Sequence, residues 1–255
     1  MKTRRPWRVE TSIAAAIVLL CLAASISGAA GAPWPALLGP REAFSPDVST
    51  AVERVWIEPT LKRTINGPSA RVPLDVYEAF VDTPEVTAAA ARFRRIWSYE
   101  IHAVDDDRYW GDDGDGARFV ARVLRREPRR RVILSEGQHV SPLLGTIRGS
   151  ALTVFDLEPQ DGEVNPRLTA YMYIAKGGGA TLARLLVPTF GFIADRKLGE
   201  GLRVTSMVAE WAVDRSGGFC DWLAHEPIPP VQRDRILVAL PTCAAVSRSS
   251  TPRPS

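Results

Sequence analysis

Histidine and cysteine are scarce in this 255-residue chain, three of each, and that scarcity removes most metal chemistry. A three-histidine zinc site would need His102, His139 and His225 to converge, and neither an HExxH pair nor paired CxxC spacing is present. No metal site and no cofactor are expected. No GxSxG elbow surrounds Ser141 or Ser150, so Glu136, His139 and Ser141 in "SEGQHVSPLLG" read as a polar strand end and turn. The phosphate-loop pattern GxxxxGK[ST] is missing as well, which leaves Lys176-Gly177-Gly178-Gly179 as a flexible connection. The chain also lacks an internal repeat and any real excess of one charge. Its formal +3 is accounted for by Lys2, Arg4, Arg5 and Arg8 against Glu10. The remainder is neutral, which argues against nucleic acid as a partner.

The first thirty residues combine that basic start with an apolar run from Ile13 to Ile26 and then small residues. This is the layout of an export signal, with cleavage after Ala29 or Ala30. The alternative is an uncleaved membrane anchor, since no charge occurs between Glu10 and Arg41. Both readings put the rest of the chain outside the cytoplasm, periplasmic or secreted. Cys220 and Cys243 then stand in an oxidising compartment, where one intramolecular disulfide is expected. Closing that loop would stabilise the fold by roughly 3 kcal/mol on the chain-entropy model.

Residues 31–52 contain Pro33, Pro35, Pro40 and Pro46 and read as a linker or an arm over the surface. A domain is expected over 53–215. "VWIEPTLKRTI" (55–65) has strand-like composition interrupted by Pro59. "VPLDVYEAFVD" (72–82) spaces Leu74, Tyr77, Phe80 and Val81 as a helix, and Thr83-Pro84-Glu85 opens a second one. Strands follow at "WSYEIHAV", "ARFVARVL", "RRVILSE", "SALTVFDLE" and "RLTAYMYIA", separated by turns short enough for an antiparallel meander. Residues 180–214 carry a helical stripe of Leu198, Leu202, Thr205, Val208, Ala209 and Ala212. Residues 216–255 read as a tail with a disulfide loop, disordered at "SRSSTPRPS".

The order of a strand, two short helices, antiparallel strands and one long C-terminal helix resembles the helix-grip fold of START-like lipid-transfer domains and bacterial polyketide cyclases. The resemblance runs from about Thr60 to Asp214 and is best at "RVPLDVYEAFVDTPEV" and "MVAEWA". It implies an α+β fold, with an antiparallel sheet wrapped on a long helix, and an apolar cavity between them. On strand alternation Ile101, Phe119, Val123, Leu134, Met172 and Ile174 would face the helix, opposite Leu202 and Thr205. The partner implied is a hydrophobic small molecule or lipid. An enzyme on the same scaffold, cyclase-like or hydrolytic, would need an acid or base in the cavity, for which Glu136, His139 and Tyr173 are the candidates. A partner-binding exported domain without catalysis is the third reading.

Two charged stretches complete the inventory. Arg125, Arg126, Arg129, Arg130 and Arg131 surround Glu127-Pro128, a basic hairpin turn whose partner outside the cytoplasm would be an anionic membrane surface. "DDDRYWGDDGDG" (105–116) fails as an EF-hand: from Asp105, position five is Tyr109 and position twelve Gly116. It reads instead as one turn joining the strand ending at Val104 to the strand beginning at Ala117.

Overall fold

The computed structural model describes residues 33–141, 145–175 and 187–243. The export segment, Lys176–Gly179 and "SRSSTPRPS" lie outside the described residues.

Seven strands form one antiparallel sheet: β1 (Leu61–Asn66), β2 (Glu100–Ala103), β3 (Arg108–Asp112), β4 (Ala117–Glu127), β5 (Arg130–Ser141), β6 (Gly145–Gln160) and β7 (Glu163–Ile174). Their order is β1-β7-β6-β5-β4-β3-β2, so β2 to β7 run as a meander and only β1 is placed out of sequence, beside β7. The β6–β7 turn shows the local chemistry: Asp161 and Gly162 both have positive φ, 51° and 81°, the two-residue geometry that fits the twist of a hairpin. Asn, Asp and Gly tolerate that conformation best, which is why "QDGE" closes so tightly.

Among the described residues six α-helices surround the sheet: α1 (Pro46–Ile57), α2 (Leu74–Asp82), α3 (Pro84–Phe93), α4 (Val187–Asp214), α5 (Ser216–His225) and α6 (Pro230–Ala239). The long α4 contacts β1, α2 and α3, and Leu202, Val208, Ala209 and Ala212 of its stripe are buried in the main core. This is the helix-grip arrangement, α+β, with α2 and α3 inserted after the first strand. Tyr77 of α2 is fully buried and shares a 3.1 Å hydrogen bond with Ser206 of α4. Burial pushes its phenol pKa well above the ordinary tyrosine value.

Three parts of the chain differ from the sequence reading. Within 31–52, read as a linker, Pro46 begins α1, which continues to Ile57 through the first three residues of the stretch read as a first strand. Proline is favoured in the first turn of a helix, and here it starts one. This helix covers the outer face of the sheet across β6 and β7. Trp56 packs on Tyr171 with ring centroids 4.6 Å apart, and Val52 and Val55 are fully buried.

The segment read as a tail is also built into the core. Phe219, Trp222 and Leu223 of α5 sit at i, i+3 and i+4 and are buried, with Phe219 edge-on to both Phe80 and Trp211. Cys220 and Cys243 form the expected disulfide and pin α5 to the end of the described chain. The third difference is inside the aspartate-rich stretch, where Arg108–Asp112 is a strand paired on both sides.

The arginine turn is not a free basic patch. Arg131, 5% exposed, forks onto Asp82 through Nε (2.7 Å) and Nη2 (2.8 Å). Arg126 bonds the same carboxylate and Asp107. Arg130 pairs with Asp156 and Arg125 with Glu127. Burial lowers the Arg131 pKa, but Asp82 and Glu78 outweigh it and hold the guanidinium charged.

Replacing Asp82 by alanine would remove the forked pair and leave buried Arg131 only the longer contact with Glu78 at 3.7 Å, so a loss of about 3 kcal/mol is expected in urea denaturation. A loss below about 1 kcal/mol would show the pair to be dispensable. The Cys220→Ser/Cys243→Ser variant is expected to lose about 3 kcal/mol. Thiol titration of the unreduced wild-type protein should find neither cysteine reactive.

Candidate functional site

Inward-facing residues of the central strands do not meet α4 along its whole length. A cavity of about 300 Å³ lies between them. Phe119 and Val123 of β4, Ile133 of β5 and Phe155 of β6 form its floor, and Leu198 and Leu202 of α4 close it above. The space exists because small residues occupy facing positions. Ala88 and Ala91 of α3 line one side, and at Gly201 of α4 an added Cβ would meet nothing within 4 Å.

Three of the hydroxyls on this lining are internally satisfied. The Thr87 hydroxyl donates to the Phe80 carbonyl (2.7 Å), Tyr109 to the Asp82 carbonyl (3.1 Å) and Thr205 to the Gly201 carbonyl (3.0 Å). Tyr99, Ser135 and Thr153 also line the cavity, and among the described residues their hydroxyls have no hydrogen-bond partner. Burial raises the Tyr99 phenol to about 12, against a smaller opposing pull from Lys197.

A second, more polar cavity of about 480 Å³ adjoins the first, and the two share Phe119, Ser135 and Lys197. Lys197 stands at their boundary, its ammonium 3.0 Å from both Asp113 and Asp115. Asp113 is 8% exposed. Its other oxygen accepts the backbone N–H groups of Asp115 (2.8 Å) and Ala117 (2.9 Å). Burial alone would raise the Asp113 pKa, but these hydrogen bonds and Lys197 outweigh it, and the carboxyl is held below its ordinary range. Lys197 is shifted the other way: burial lowers it, and the two aspartates more than compensate.

The structure divides the residues singled out in the sequence. Ile101, Phe119, Val123, Leu202 and Thr205 line the first cavity. Met172, Ile174 and His139 line the second, and Glu136 and Tyr173 also border it. Leu134 does not face the helix: its neighbour Ile133 does, and Leu134 pairs with buried Leu152 on the outer face. One position along a strand reverses the face, and in β5 the inward row is Ile133 and Ser135. Tyr173 also turns outward, where the Arg54 guanidinium of α1 lies 5.8 Å from its ring centroid. Glu136 belongs to the same outward row, through Ser150 to Tyr173.

Lys197, Asp113, Tyr99, Ser135 and Thr153 were missed. Lys197 interrupts an otherwise apolar helix face, the one signal that could have found it.

No family model matches the chain, and no curated protein matches it. Solved structures do. A conserved protein from Geobacillus kaustophilus is 14% identical, with 60% of this chain and 97% of that one covered and a TM-score of 0.44. An uncharacterized protein from Rhizobium leguminosarum is 15% identical over 61% of this chain and 95% of its own, with a TM-score of 0.40. The protein Ara h 8.0201 is 11% identical over 58% and 98%, with a TM-score of 0.37. At these identities and scores the similarity carries nothing about ligand or activity.

The Lys197 bridge has a defined pH window. The depressed Asp113 contributes stability above about pH 3.9, lost as pH falls through its lower folded value. The raised Lys197 contributes below about pH 10.4, lost as pH rises through its higher folded value. The melting-temperature difference between wild type and Lys197→Met should therefore stay constant between about pH 5 and 9 and shrink on acidification below about pH 3.9. A difference that changes across neutral pH would contradict this assignment.

Proposed function

We propose that this chain is an exported START-like domain that binds or carries a hydrophobic small molecule or lipid between its sheet and α4. The observation that supports the reading is the apolar cavity of about 300 Å³, at the small end of the usual range for ligand pockets. Its walls offer burial to an apolar body, worth about 25 cal/mol per Å² removed from water, and few groups that would demand a polar partner. The disulfide between Cys220 and Cys243 supports the export part, because such bonds persist in oxidising compartments. Among the described residues no helix is long and apolar enough to cross a membrane.

Native mass spectrometry of the purified protein, followed by solvent extraction, should reveal a bound apolar molecule, and the emptied protein should bind Nile red saturably. Gly201→Leu fills the open space in the cavity and removes a poor helix former, worth about 1 kcal/mol in a helix interior. It is expected to abolish Nile red binding without lowering the melting temperature. Wild-type protein with neither a co-purifying ligand nor saturable probe binding would defeat the reading.

A further inference from the structure

Resting on the cavity reading above, we infer that the ligand is an uncharged amphiphile carrying a hydroxyl or carbonyl oxygen, and that Lys197 is the residue that selects it. The described charged groups at this end of the molecule balance one for one. Arg118 is held by Asp112 at 2.8 Å, Lys197 by Asp113 and Asp115, and exposed Arg196 lies in the field of Asp115. Arg148 and Glu136 at the rim both belong to outward rows of the sheet. Among the described residues no uncompensated charge is left to meet an ionic head.

An anionic head would also face the Asp113 and Asp115 carboxylates across the Lys197 ammonium. In a partly buried site that repulsion is not well screened. What the walls do offer is neutral hydrogen bonding. The Tyr99, Ser135 and Thr153 hydroxyls have no partner among the described residues. An ammonium has three donors and Lys197 spends two on the aspartates, so one N–H remains at the boundary of the two cavities. A ligand hydroxyl or carbonyl accepts that hydrogen without displacing either carboxylate, while the apolar body occupies the inner cavity.

The test is displacement of Nile red at pH 8 by 1-decanol and by decanoate, on wild type, Lys197→Met and Lys197→Met/Asp113→Asn. The double variant removes the carboxylate that the single one leaves buried and unpaired, and melting curves establish that each is folded. Wild type is expected to bind decanol at least about tenfold more tightly than decanoate. Both variants should lose about tenfold in decanol affinity, one charge-assisted hydrogen bond, measured against each variant's own Nile red affinity. Decanoate binding as tightly as decanol, or decanol affinity unchanged in the folded double variant, overturns the inference while leaving the cavity reading intact. Absence of Nile red binding in wild type defeats both.

Discussion

The carboxylate of Asp82 holds the fold's two halves together. It sits at the end of α2, immediately before the residue that opens α3, and it receives the fork of Arg131 from the middle of the sheet. Arg126 joins it from β4, and the backbone carbonyl of Asp82 accepts the Tyr109 hydroxyl from β3. Three strands thus converge on one helix–helix corner. That corner carries Phe80, Val81 and Pro84, which form one wall of the cavity. A buried guanidinium is costly to leave unpaired, so the wall is fixed at a defined distance from the sheet and cannot settle inward to fill the space.

The second constraint is that both faces of the sheet are covered, by different means. The inner face receives α4 and the α2–α3 corner, and the outer face receives α1. Residues Val132, Leu134, Leu152 and Val154 are buried without belonging to the main core, as expected for outward positions beneath the proline-rich arm. At the other end, α5 inserts Phe219 between Phe80 and Trp211, and the disulfide ties it down. The segments with the least regular sequence therefore do structural work on both sides of the grip.

Legibility followed the strength of the periodic signal. The helices α2 and α3 and the stripe of α4 could be read from spacing, and so could five of the strands, because each carries enough alternating apolar residues to define a face. Arg108–Asp112 escaped because aspartates and glycines on both sides outweighed Tyr109 and Trp110 in a five-residue strand. α5 escaped because Gly217-Gly218 stands in its first turn and hides the Phe219, Trp222, Leu223 spacing. The aspartates do make turns, Asp112 accepting the Gly114 N–H and Asp113 those of Asp115 and Ala117. Asp113 and Asp115 also grip Lys197, 82 or more residues away in sequence, a pairing that no local pattern announces.

What the sequence by itself determined is the class of fold: period-two and period-3.6 patterns are local consequences of backbone geometry, and their order dictates a meander closed by a long helix. It also pointed to the cysteine pairing, since Cys220 and Cys243 are the two cysteines outside the apolar N-terminal run. Only the tertiary structure decided that a space is left between sheet and helix, which strands turn which residues into it, and where Lys197 stands. Apolar periodicity reports burial and is the same for a filled core and for a cavity. The difference lies in how far apart the walls are held, and Asp82, Arg131 and the small residues Ala88, Ala91 and Gly201 set that distance through contacts remote in sequence.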